Sequence, residues 1–125
     1  MHPWILIGMG GAIGAIARYV VSSHLAERYP TWVVGTLVVN VVGSFLFGVI
    51  YVLMLKYAAL ADGLKFGLLV GFLGAFTTFS TFSFETVTLL KEGSTTLALT
   101  MVALNVLLSI AAVAVGIQGA QWCVK

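Results

Sequence analysis

The densest chemistry in the chain lies between Phe76 and Phe84. Five hydroxyl residues (Thr77, Thr78, Ser80, Thr81 and Ser83) are interleaved there with four phenylalanines (Phe76, Phe79, Phe82 and Phe84), and Glu85 follows. Two amides, Asn40 and Asn105, each precede a serine by four residues, Ser44 and Ser109. These groups do not form a catalytic set. His2 and His24 sit near segment ends, and Glu27, Asp62, Glu85 and Glu92 are scattered. Neither a metal-ligand spacing nor a GxxxxGK[ST] phosphate loop occurs, so an enzyme is not expected. What the polar residues share is hydrogen to donate, from amides and hydroxyls. A phenylalanine ring adds a positive edge through its quadrupole. A path lined this way has no acidic ring and is no cation channel; it replaces the water of a small anion without trapping it, as conduction requires.

Composition says where such a path would lie. Of 125 residues, 61% are hydrophobic and 8% charged, against about 25% charge in a soluble domain. Mean hydropathy is +1.13. Too few charges exist to wet a globular surface, which excludes a soluble enzyme and a disordered chain. The net charge of +2 is too small to argue for nucleic acid, and no nucleic-acid partner is expected. The lone Cys123 excludes an intrachain disulfide framework and a cysteine-rich metal site.

A membrane helix needs about 20 apolar residues. Four stretches qualify, at about 4–23, 32–55, 64–90 and 96–119. The fold class is therefore all-α integral membrane, with residues 1–125 as a single four-helix transmembrane domain. Short connections hold most of the charge and Pro30. Trp4, Tyr29, Trp32, Tyr57 and Trp122 mark the expected interfaces. Only His2 precedes the first stretch where a secretory signal would carry a basic segment, so a retained helix is expected.

An even helix count places Lys56, Lys65 and Lys125 on one side and Arg28 and Lys91 on the other, joined by Arg18 if it snorkels there. The positive-inside rule has almost nothing to act on. Either one orientation wins weakly, or the chain inserts both ways and pairs antiparallel. The second arrangement recreates between chains the inverted symmetry that larger transporters hold within one. Four helices fill their own centre, so a polar path calls for a partner subunit, most economically another copy.

Thr36, Asn40, Ser44, Phe47 and Tyr51 share one helical face, as do Asn105, Ser109, Ala112 and Gly116. Such stripes serve interhelical bonding or line a path. The run from Gly71 to Glu85 has two readings. Glycine and β-branched threonine weaken helix, and a break within the membrane frees backbone groups that must bind something or line water. Alternatively the helix is unbroken and its hydroxyls bond back to their own carbonyls. Gly10 with Gly14, Gly67 with Gly71, and Ser44 with Gly48 are small-residue pairs suited to close helix contact. Arg18 serves equally as a source of positive potential at a vestibule or as a helix-end anchor.

Gly10-Gly11-Ala12-Ile13-Gly14 followed by Arg18, Gly35 to Asn40 with Gly43 and Gly48, and Gly71 to Glu85 with its Thr-Thr-Phe-Ser-Thr-Phe-Ser run together resemble the Fluc (CrcB) fluoride channels. The likeness covers essentially the whole chain, and the hydroxyl–phenylalanine run is its specific part. It implies an antiparallel, dual-topology homodimer in the bacterial inner membrane, with a pair of pores that export fluoride passively. It implies pore positions for Asn40, Phe79, Phe82, Ser80, Thr81 and Ser109. Vestibule or gating positions follow for Arg18 and Glu85. The backbone carbonyls of Gly74 and Thr77 are implied ligands of a structural sodium ion (Na+) at the dimer centre, beside a break in the third helix. Asn105 matches no fixed position of that family.

Two other classes share the composition. A small multidrug exporter needs a membrane carboxylate in its first helix, and here Arg18 is present with no acid before Glu27. A non-transporting assembly subunit would use the polar stripes for packing only, and anion flux tells it from a channel.

Overall fold

The computed structural model describes residues 2–29 and 31–125. Helix α1 (Pro3–Arg28) is followed by α2 (Val34–Lys56), a 3-10 turn (Ala58–Leu60) and a π-wound segment (Gly63–Leu73). A single turn, α3 (Gly74–Phe76), leads to α4 (Phe79–Lys91) and α5 (Thr95–Cys123). Four runs, Pro3–Arg28, Val34–Lys56, Gly63–Lys91 and Thr95–Cys123, are long and apolar enough to cross a membrane. Among the described residues there is no strand. The all-helical expectation holds, with ends further out than hydropathy alone suggests. Leu25, Ala26, Glu27 and Arg28 are ordinary helix formers and extend α1 beyond its apolar part; Pro30 lies outside the described residues.

The turn between α4 and α5 shows how short links are made. Gly93 takes φ 78°, which only glycine adopts without strain. Gly93 N–H then donates to the Leu90 carbonyl and Ser94 N–H to the Leu89 carbonyl, closing the helix end with two backbone bonds. The chain reverses within a few residues, and α5 runs back against α2.

Small residues set the helix spacing. A Cβ on Gly10 would strike the Gly67 carbonyl, and one on Gly14 the Phe72 carbonyl. Backbones of α1 and the π-wound segment therefore touch directly. Gly71 contributes from the other side, 2.8 Å from the Ile7 carbonyl at a built Cβ, whereas a Cβ on Gly67 would meet nothing. On α2, Gly48 faces the Val113 carbonyl, and Gly116 of α5 faces that of Phe45. Gly48→Ala is accordingly expected to destabilise the bundle by about 1–3 kcal/mol through overpacking. Alanine's better helix propensity, about 1 kcal/mol, does not offset a clash with backbone. Thermal unfolding in detergent, with Gly119→Ala as the control at an open site, measures the difference.

Two small buried clusters hold the chain together: Val39, Leu69, Leu73 and Phe76, and Val33, Leu89 and Ala98. Most large apolar side chains face outward, among them Trp4, Ile16, Leu107 and Ile110. Trp4, Tyr29, Trp32, Tyr57 and Trp122, at the helix ends, are exposed as well. A surface this apolar is stable only under lipid or another apolar face; this is a multi-pass membrane protein.

Candidate functional site

The site forms where helical backbone gives way. Thr77 (φ −83°, ψ 156°) and Thr78 (φ −152°, ψ 117°) are extended. Thr78 is the N-cap of α4. Its Oγ1 accepts from Thr81 N–H at 3.2 Å and donates to Thr81 Oγ1 at 3.0 Å, satisfying one of the orphan donors of a helix start. Thr78 N–H, which a continuous helix would give to the Gly74 carbonyl, goes instead to Asn40 Oδ1 at 2.8 Å. Thr81 N–H is likewise diverted from the Thr77 carbonyl. Room for the step comes from α2, where Gly43 faces the Thr77 methyl.

Asn40 clamps this step. Its Nδ2 donates to the Thr78 carbonyl at 3.1 Å and to Asn105 Oδ1 at 3.0 Å. Asn105 Nδ2 in turn donates to the Met101 carbonyl at 3.0 Å. A primary amide has two hydrogens, so both Asn40 hydrogens are committed to protein oxygens. One of the Asn105 hydrogens remains.

An open groove of about 370 Å³ adjoins the clamp. Asn40, Ser44 and Phe47 of α2, Phe79 and Phe82 of α4, and Asn105 and Ser109 of α5 form its wall, with Thr77 and Thr78. The Phe79 and Phe82 rings lie 5.5 Å apart, tilted by 59°, a geometry that presents a ring edge rather than two stacked faces. Phe82 is buried, but Phe79 is 77% exposed. The groove is therefore walled on one side by this chain and open on the other.

A second groove of about 280 Å³ is lined by Arg18, Thr36, Thr81 and Glu85, with Ser22 and Trp32. Thr36 Oγ1 donates to Glu85 Oε1 at 2.5 Å, tying α2 to α4. Arg18 Nε is buried without a hydrogen-bond partner among the described residues. Thr78 lines both grooves.

The residues singled out in the sequence thus divide. Asn40, Phe79, Phe82 and Ser109 meet in the first groove, and Arg18, Thr81 and Glu85 in the second. Ser80 is exposed and lines neither; its Oγ lies 3.4 Å from Thr78 Oγ1. Gly74 is exposed and Thr77 half-buried. The α2 stripe splits, since Thr36 reaches Glu85 whereas Asn40, Ser44 and Phe47 face the first groove. Gly116 belongs to helix packing. Several hydroxyls do bond back one turn: Thr77 to Leu73, Ser83 to Phe79, Thr86 to Phe82 and Thr88 to Phe84. Thr78 does not, and it is the residue whose role spacing left unmarked. The available signal was its hydroxyl three residues before Thr81, an N-cap spacing.

No cluster of three or more His, Cys, Asp or Glu occurs among the described residues.

Residues 5–117 match the family described as CrcB-like protein, Camphor Resistance (CrcB). The chain belongs to the CrcB family. The match runs from α1 into α5 and includes every residue of both grooves. A CrcB relative from Saccharophagus degradans is 48% identical over 114 residues, covering 91% of this chain and 86% of the relative. One from Hydrogenovibrio crunogenus is 49% identical over 117 residues, covering 90% and 86%. A third, from Magnetococcus marinus, is 46% identical over 115 residues, covering 89% and 91%. Each of the three carries the name fluoride-specific ion channel FluC.

Proposed function

We propose that this CrcB protein is a fluoride-selective passive channel of the bacterial inner membrane, in which two oppositely oriented copies form a pair of pores. The observation that carries the reading is the first groove, which sets amide and hydroxyl groups and tilted phenylalanine edges on one uncharged wall. Its CrcB relatives bear the name of that activity. A homodimer closes the groove: Phe79 is uncovered in one chain, and the balanced basic residues suit antiparallel insertion.

In this reading the third membrane helix is broken at Thr77–Thr78 within the bilayer. Fluoride sheds water against the Phe79 and Phe82 edges and the Ser109 hydroxyl of the first groove, and the Thr81 hydroxyl faces the second, while Asn40 holds the wall in shape; Ser80, outside both grooves, is left out of this path. Arg18 raises the potential at the mouth, and Glu85 couples α2 to α4 there. The lining attracts the anion without a fixed full charge, so the ion leaves as readily as it enters. External acid forms HF, which crosses lipid and dissociates in the neutral cytoplasm; the membrane potential then drives the trapped anion out through the channel.

The Gly74 and Thr77 carbonyls fit a hard cation. Their helical donors are diverted to Asn40 and to the Thr78 hydroxyl, and carbonyl oxygen is a suitable ligand for such an ion. Both residues from each of two copies would hold a structural sodium ion without any acidic side chain. A sodium ion held by these carbonyls would supply positive charge that ties the two copies together at the breaks.

Purified protein in liposomes, loaded with fluoride and read with a fluoride electrode, tests the function. Fluoride is expected to escape when a potassium ionophore relieves charge build-up, with chloride retained. Fluoride retention despite the shunt, or equal chloride release, overturns the reading.

A further inference from the structure

The two groove amides are not equivalent. Every polar atom of Asn40 is engaged, and two of its three bonds go to the Thr78 backbone. Asn105 is 6% exposed, and its pose is set within its own helix. Its Nδ2 donates to the Met101 carbonyl one turn back, which turns Oδ1 towards Asn40. Flipping the Asn105 amide would set NH2 against NH2 and oxygen against the Met101 carbonyl, leaving buried groups unmatched. Flipping Asn40 would break both bonds to Thr78. A directional chain of bonds thus runs from the α5 backbone through Asn105 and Asn40 to the extended Thr78 peptide.

We propose that Asn105 is a positioning residue: it locks the Asn40 amide in the one orientation that clamps both the N–H and the C=O of Thr78, so that α5 holds open the step between α3 and α4. Its consequence for fluoride flux rests on the channel reading; the positioning itself does not. Spacing on α5 placed Asn105 on the polar face, but its partner on α2 is a matter of tertiary approach, set where Gly48 and Gly116 let the two backbones touch.

The test uses the full-length protein labelled with 15N-threonine, with the Thr78 amide assigned by its loss in Thr78→Ser. In Asn105→Leu, which keeps the side-chain bulk, the Thr78 amide resonance is expected to move upfield as its bond to Asn40 weakens. Fluoride efflux falls about tenfold. Adding Asn105→Leu to Asn40→Ala leaves the resonance where Asn40→Ala alone puts it, because both act through one bond chain. Val106→Ala, at an apolar residue of α5 that also lines the first groove, leaves it at the wild-type position. Should Asn105→Leu fail to assemble, Asn105→Ser serves in its place, its hydroxyl being too short to reach Asn40. An unmoved Thr78 resonance in the assembled variant overturns the proposal, since packing alone would then account for Asn105. A wild-type protein that passes no fluoride would sink the channel reading and leave the resonance test intact.

Discussion

Replacing Phe79 or Phe82 by isoleucine is expected to cut fluoride efflux from liposomes about a hundredfold. That is the scale of losing one pre-organised electrostatic contact, about 2.7 kcal/mol. Isoleucine keeps the apolar surface and removes the ring edge, so the change isolates the quadrupole from simple burial. Phe79 is the cleaner position. It is 77% exposed in the chain, so its loss leaves no cavity within the bundle. Phe82, 8% exposed, adds a packing cost, and size-exclusion chromatography must show that the variant elutes as the wild-type protein does. Wild-type rates in both variants would remove ring edges from the account of permeation.

Asn40→Asp is expected to slow efflux as well, for a different reason. Asn40 Nδ2 faces two acceptors, the Thr78 carbonyl and Asn105 Oδ1. A carboxylate oxygen in its place turns both attractions into repulsions and adds a negative charge beside the anion's route. Removing one partner from a buried polar network leaves the others unsatisfied, at about 1–3 kcal/mol each. Efflux should fall by at least about tenfold, with a lower unfolding temperature in detergent, because the clamp on Thr78 is lost along with the path. Unchanged conduction in a folded Asn40→Asp protein would take Asn40 out of the pathway altogether.

Four apolar stretches, the glycine contacts of α1, and the polar faces of α2 and α5 were legible in one dimension. Each depends on periodicity or on simple length against bilayer thickness. The Thr-Thr-Phe-Ser-Thr-Phe-Ser run was legible as unusual, but not as a choice between broken and continuous helix. Spacing cannot make that choice, because a hydroxyl at any point of the run reaches its own carbonyl one turn back. Thr77 and Ser83 take that option.

The amino-acid sequence by itself determined that this is a membrane-spanning helical protein with an uncharged, donor-rich polar lining, since composition and period are properties of the chain. Tertiary structure alone decided which donors face the groove and which are spent on protein. Asn40 and Asn105, 65 positions apart, meet only because two helices approach closely, and the Thr78 N–H goes to an amide on α2 rather than to a carbonyl of its own segment. Hydrogen-bond partners across helices are settled by three-dimensional distance and by the valence of each group, and neither is written in local order.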